Sequence, residues 1–284
     1  MTEPASIRAA PLVRRPLPIL LGIAAFACAT AAGGAPWAHS KGFTPLFDGK
    51  TLKGWKGDMT LWSVKDGAIT GGFDAPRKDM TFLVHDGSYS NFELHFKYRF
   101  ASKDGNSGVQ YRSKPRPDVN PYMVEGYQAN VVPPDQLVRY GMLYENLGRN
   151  EIGLLSEDVE IGRDSGGKLT RKIKGSVNPV GTLLADYRPY PQWNDYVVIA
   201  YGNRLIHAIN GKLALIATDN DPARLKSGQF ALQLDPFLAL RVEFKDIEVK
   251  RLTAEPSIAG RFVTKAGPPE TTSEIPKRPA KPPQ

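Results

Sequence analysis

The chain has 284 residues, a formal net charge of +8, 10% aromatic residues and a single cysteine. Each end carries about +2, leaving about +4 between them with no dense Lys/Arg run, so the electrostatic footprint of a nucleic-acid binder is missing. One thiol excludes a disulfide scaffold, so the fold must be held by its core.

Residues 1–40 read as a leader: Arg14-Arg15, an apolar run from Leu17 to Ala32, then small residues. The run is too short and too rich in Ala and Gly for a membrane span, so none is expected once the leader is removed. This predicts an exported protein, periplasmic or secreted, with lipid anchoring at Cys28 ranked second. Arg14-Arg15 resembles a twin-arginine signal only weakly, because Pro16 and Pro18 follow it. Residues 41–252 read as one domain. Residues 253–284 are rich in Pro, Lys and Glu and read as a disordered tail.

Within the domain nearly every informative stretch predicts a strand. Leu61–Thr70 carries Asp66-Gly67 at its centre, a two-residue hairpin signal. Phe92–Phe100 alternates Phe92, Leu94, Phe96, Tyr98 and Phe100 with Glu93, His95, Lys97 and Arg99, the period of a half-buried strand. Tyr196–Ala200 and Arg204–Ile209 flank Gly202-Asn203, and Asn210-Gly211 opens another turn. Phe230–Leu234 and Leu240–Val249 complete the set, with a change of phase near Asp246 that predicts a bulge. Glu151 to Gln192 reads as a long insertion with one or two weak strands, near the mouth of any site. Many short strands with Gly/Asn/Asp turns and no long helical period predict an all-β sandwich or barrel.

Polar side chains of one kind gather in three neighbouring segments: GNSGVQYR (Gly105–Arg112), VEGYQANVV (Val124–Val132) and GMLYENLGRN (Gly141–Asn150). Strand alternation puts Gln110 with Arg112 on one face and Gln128 with Asn130 on another. Amides and a guanidinium beside tyrosines suit sugar hydroxyls; the competing reading is a hydrogen-bonded polar sheet face. Trp55, Trp62 and Trp193 read as packing residues, and Asp48 and Asp66 as turn residues. No HExxH, CxxC, GxSxG or phosphate-cradling glycine loop is present. No cofactor is evident, and scattered Asp and Glu leave a divalent cation open.

In their order along residues 42–252, several segments resemble the 3-keto-disaccharide hydrolase family. These are GFTPLFDGKTLKGWKG, WSVKDGAITGG, NFELHFKYRF, GNSGVQYR, GYQANV, WNDYVVIAYGNRLIHAINGK and GQFALQL followed by RVEFKDIEVKRL. The resemblance implies a concanavalin-like jelly-roll sandwich of two antiparallel sheets. It also implies cleavage of glycosides oxidised at sugar carbon 3, by elimination to a 2-hydroxyglucal and then hydration. The partner would be a glycoside or oligosaccharide; the oligomeric state is not written in the sequence. Arg112 would hold an enolate oxygen, and Glu145 and Asp235 would move protons. Gln110, Gln128, Asn130, Tyr144, Arg149 and His95 would bind substrate.

Two departures stand out. Many members have a carboxylate at the pair occupied here by Gln128 and Asn130, and amides cannot act as a general base. Members often have His where this chain has Asp235. Bland readings stand beside the functional ones: a structural salt bridge for Arg112, mutual pairing for Glu145 and Arg149, and a solvated charged row for His95. The departures keep a second function open, a non-catalytic carbohydrate-binding module on the same sandwich. An envelope adhesion or scaffold domain is a third.

Overall fold

The computed structural model describes residues 41–132 and 139–269. The expected leader, Cys28 and the end of the chain from residue 270 lie outside the described residues. Two β-sheets face each other across a layer of apolar side chains, as the jelly-roll expectation requires.

The first sheet holds β1 (Thr44–Pro45), β3 (Trp62–Lys65), β4 (Ala68–Phe73), β6 (Phe92–Phe100), β11 (Glu157–Arg163), β12 (Leu169–Ser176), β13 (Asn194–Tyr201), β14 (Arg204–Ile209), β15 (Lys212–Asp219) and β17 (Leu240–Arg251). Its order is β12-β11-β15-β14-β13-β6-β17-β4-β3, with β1 beside β17. The second sheet holds β2 (Trp55–Lys56), β5 (Thr81–His85), β7 (Ser107–Pro115), β8 (Val124–Val131), β9 (Leu143–Asn146), β10 (Asn150–Gly153) and β16 (Gln229–Leu234). They run in the order β10-β9-β8-β7-β16-β5-β2. Among the described residues, every pairing between these strands is antiparallel except β11 with β15.

Period two decides which side chains meet. Phe92, Leu94, Phe96, Tyr98 and Phe100 all turn inward, against Val109, Tyr111, Tyr127, Ala129, Phe230 and Leu232 of the other sheet. Phe96 stacks on Tyr196 with ring centroids 5.0 Å apart. Burying each such ring contributes about 1.5–3 kcal/mol. Trp55 and Trp62 are core residues, as expected.

The turns follow the glycine and asparagine signals. Asp66 and Gly67 both take positive φ, 49° and 74°, between Lys65 and Ala68 paired in register. The bulge expected near Asp246 is present: Asp246 has φ 52° and the register with β6 shifts between Lys245 and Glu248.

Two expectations change. The stretch 151–192 does hold strands, β11 and β12, but they extend the first sheet rather than standing apart as an insertion, and a short helix, α1 (Val180–Leu184), follows. Its residues alternate (Val159 and Ile161 inward) with too few repeats to stand out beside the glycines. Residues 253–269, read as disordered, lie along the outer face of the first sheet. Ile258 and Phe262 pack on Val177, Ile199, Ile206 and Leu213. Val263 pairs with Lys212 and Gly267 with Ser176. Among the described residues no helix is long and apolar enough to cross a membrane.

Candidate active site

In the second sheet, Tyr111, Tyr127, Ala129 and Leu232 point into the core, so Gln110, Gln128, Asn130 and Gln233 point to the outer face. Register places Gln110 opposite Gln128 and Gln128 opposite Tyr144, a polar line across β7, β8 and β9. Gln110 donates to Gln128 at 3.1 Å, and Gln128 donates to Asn130 at 2.7 Å and to Gln233 at 2.9 Å. Gln128 reaches Gln233 across the strand between them because that strand offers Gly108 there. A Cβ at Gly108 would stand 2.4 Å from Gln128 Cγ.

The row is buried. Gln110 is 0% exposed and Gln233 2%, under a small apolar cluster of Phe82, Ala231, Met123 and Val124 with Met80 packed against it. Buried amides are stable only when paired, and these are. Ser113 donates to Gln110, and Asn130 donates to the Arg139 carbonyl at 2.8 Å.

Asp235 stands two residues beyond Gln233. It accepts from Asn106 Nδ2 at 2.9 Å and from the Phe237 N–H at 3.3 Å. Burial raises its pKa above the ordinary carboxylate value, partly opposed by those hydrogen bonds and by the Arg139 charge. Asn106 Oδ1 is buried and has no hydrogen-bond partner, an acceptor without a donor. A carboxylate, an amide donor and an open acceptor therefore meet at one end of the row, within reach of the Arg139 charge.

Four of the expected residues lie elsewhere. Arg112 does not share a face with Gln110: the register breaks between Tyr111 and Lys114, and Arg112 takes φ 50°. The bulge swings its guanidinium onto backbone carbonyls of Ser90 at 2.6 and 2.9 Å, Gly202 at 2.9 Å and Leu225 at 3.0 Å. At 1% exposure it is a tie between three loops. Glu145 sits opposite Tyr127 and so faces inward. It pairs with Arg149, which also binds Asp219 at 2.6 Å, Asp221 at 3.2 Å and the Tyr127 hydroxyl at 3.2 Å. Burial raises the Glu145 pKa and Arg149 opposes the rise. This cluster clasps the two sheets together. His95 is on the outer face of the first sheet, between Glu93 at 2.7 Å and Glu248 at 3.5 Å, with Phe43 against its ring.

Tyr144 stays on the row's face, its hydroxyl donating to Asn150 at 2.9 Å. Gln233, Asn106 and Arg139 are not among the residues expected from the sequence. Alternation alone could have found Gln233, which shares the parity of Asp235 in an apolar strand. Among the described residues, no group of three or more His, Cys, Asp or Glu side chains is placed to hold a metal ion. A shallow groove of about 490 Å³ opens at the Gln229 end of β16, the far end from Asp235, lined by Gly87, Ser88, Ser113, Lys114, Ser227 and Gly228 among others.

Residues 42–250 match the profile of the 3-keto-alpha-glucoside-1,2-lyase-like domain. The chain belongs to this family. A 3-keto-disaccharide hydrolase of Bacteroides thetaiotaomicron is 24% identical over 191 residues, 61% of this chain and 58% of that protein. The chain thus spans 58% of the length of that curated relative. A solved structure of a presumptive glycosyl hydrolase from Parabacteroides distasonis is similar at TM-score 0.50 and 15% identity, covering 74% of this chain and 99% of that one. A Bacillus subtilis protein with a galectin-like fold gives TM-score 0.49 at 10% identity, covering 74% and 94%. For this 3-keto-glucoside lyase-like domain, the likeness to the Parabacteroides structure speaks to the fold alone.

Proposed function

We propose that this chain cleaves 3-keto-glycosides by elimination and hydration, at the Asp235 end of the amide row. The observation that carries the reading is Asp235 itself: a carboxylate buried beside Asn106 and within the field of the Arg139 charge, its pKa raised by burial, on the face of Gln128, Asn130 and Gln233. A ketone at carbon 3 acidifies the hydrogen on carbon 2. In its ionised form Asp235 takes that proton, and the electrons pass to the ketone oxygen as an enolate. Donors held in place before reaction stabilise such an oxygen, by about 3–4 kcal/mol for a well-placed one. The Gln233 amide hydrogens and the Arg139 charge, which already acts on Asp235, would serve that oxygen. The enolate then expels the carbon 1 substituent as the ring gains a double bond, the leaving oxygen takes a proton, and water adds back across that bond.

The test is release of nitrophenol from p-nitrophenyl 3-keto-α-glucoside, with and without added divalent metal. Asp235→Asn should lower kcat about 10²–10⁴-fold, the range for a positioned acid or base. An Asp235→Asn protein that stays folded and turns over at the wild-type rate would sink this assignment. The raised pKa should also move the acid limb of the rate profile above the ordinary aspartate value of 3.8.

The satisfied Gln110–Gln128–Asn130 row favours a second reading, carbohydrate binding without catalysis, since no proton acceptor remains at that pair. Saturable calorimetric heat with glycans and no product from any keto-glycoside would select it. Export remains our proposal from the leader-like residues 1–40, tested by the mass of the N-terminus recovered from cells.

A further inference from the structure

The hydrogen bonds of the amide row run in one direction. Ser113 Oγ donates to Gln110 Oε1, Gln110 Nε2 to Gln128 Oε1, and Gln128 Nε2 to both Asn130 Oδ1 and Gln233 Oε1. Each oxygen used as an acceptor fixes where its own NH2 group points, so the chain ends on two NH2 groups. That of Asn130 meets the Arg139 carbonyl at 2.8 Å, a strong acceptor. That of Gln233 meets the Met80 sulfur at 3.1 Å. A thioether is a weak acceptor, and a donor polarised by the bonds behind it gains more from a strong one. The row therefore ends on an unspent hydrogen at Gln233, one strand step from Asp235.

Met80 is half-buried and unbranched, a side chain that repacks at small cost. Its carbonyl accepts from Asn120 Nδ2 at 3.2 Å, and Arg77 of the same loop donates its N–H to the Pro236 carbonyl at 2.8 Å. The two loops it joins carry exposed apolar side chains: Tyr122 at 40%, Val119 at 49%, Leu238 at 45% and Phe237 at 56%. Such a rim suits the C–H face of a pyranose, while the hydrogen beneath suits its oxygen.

Resting on the function proposed above, we propose that Gln233 is the residue that hydrogen-bonds the sugar, and that Met80 is a gate whose sulfur holds that hydrogen until a sugar oxygen replaces it. The ligand class is a pyranoside presenting a carbonyl or hydroxyl oxygen to Gln233 Nε2. Met80→Ala removes the placeholder and leaves the row intact. Gln233→Glu keeps an acceptor for Gln128 and removes the outward donor.

The experiment combines p-nitrophenyl 3-keto-α-glucoside kinetics with NMR of 13C-methyl methionine, the Met80 signal being assigned from Met80→Leu. Met80→Ala should lower KM about three- to tenfold with kcat held, and Gln233→Glu should raise KM about tenfold, the scale of one hydrogen bond, and lower kcat as well, because the same hydrogen serves the enolate. The Met80 methyl resonance of the unaltered protein should shift on saturation with the keto-glucoside or with methyl α-glucoside. Saturation by either ligand with an unmoved Met80 signal overturns the gate, as does a Met80→Ala protein with unchanged KM. A shift without nitrophenol release supports the gate and removes the catalytic reading. Absence of turnover and of any shift overturns both.

Discussion

Arg149 shows how far a side chain's company decides its role. Its guanidinium is shared by Glu145, Asp219 and Asp221, the last also held by Arg163 at 2.9 Å. Arg149→Met would leave buried carboxylates uncompensated, and urea unfolding should show a loss of about 3–5 kcal/mol. Glu145→Gln keeps an acceptor for Arg149 and should leave kcat unchanged; a hundredfold fall in kcat in that folded variant would return Glu145 to the site. His207 is the other residue with a sharp consequence. Fully buried between the Tyr111 and Tyr196 hydroxyls, at 3.1 and 3.0 Å, it is held down to a pKa of about 3 by burial. The unfolded chain takes up a proton there below about 6.5, while the folded chain does so only near 3. Its contribution is therefore complete above pH 6.5 and drains as the pH falls, by about 2 kcal/mol at pH 5. His207→Phe should flatten the decline of Tm between pH 7 and pH 5, whatever it costs at pH 7; an unchanged slope would contradict the assignment.

At the scale of elements, the segment 253–269 is the clearest case of local sequence misleading. Its Pro, Lys and Glu content says tail, yet Ile258 and Phe262 cover apolar side chains on the outer face of the first sheet. Backbone bonds Leu213 N to Val263 O at 3.0 Å and Ser176 N to Gly267 O at 2.9 Å fix the segment, and the Arg204–Glu255 pair at 2.8 Å adds to it. Ending the chain after Leu252 should cost about 2–4 kcal/mol, from the area uncovered, and lower Tm by roughly 5–15 °C. A truncated protein melting with the full chain would mean the contact carries no weight. The β7 bulge is the second case. Gln110 and Arg112 alternate correctly in the sequence, but a single left-handed residue, Arg112 at φ 50°, reverses the face. Such a residue is ordinarily announced by Gly or Asn, and an arginine there gives no warning.

For the whole molecule, alternation made the sandwich legible. Strands such as Phe92–Phe100 state their inner face outright, and the Asp66-Gly67 and Asn210-Gly211 turns state their positions. The amide row was legible in part: Gln128 and Asn130 share a face because the period of a strand is the same wherever it pairs, whereas Gln110 meets them only through the register of β7 on β8. The site as a single meeting point was not legible. Whether Glu145 or Asp235 lies with that row depends on which strands become neighbours and which face turns inward, and these follow from packing between distant segments. The sequence by itself determined the all-β class, the inner and outer residues of its regular strands and most turns, since those are local consequences of backbone sterics and hydrophobic period. Only the tertiary structure decided that Arg112 ties loops, that Glu145 and Arg149 clasp the sheets, and that Gln233 and Asp235 complete the outer row. Those roles rest on contacts between residues as far apart as Gln128 and Gln233, and no local rule encodes such contacts.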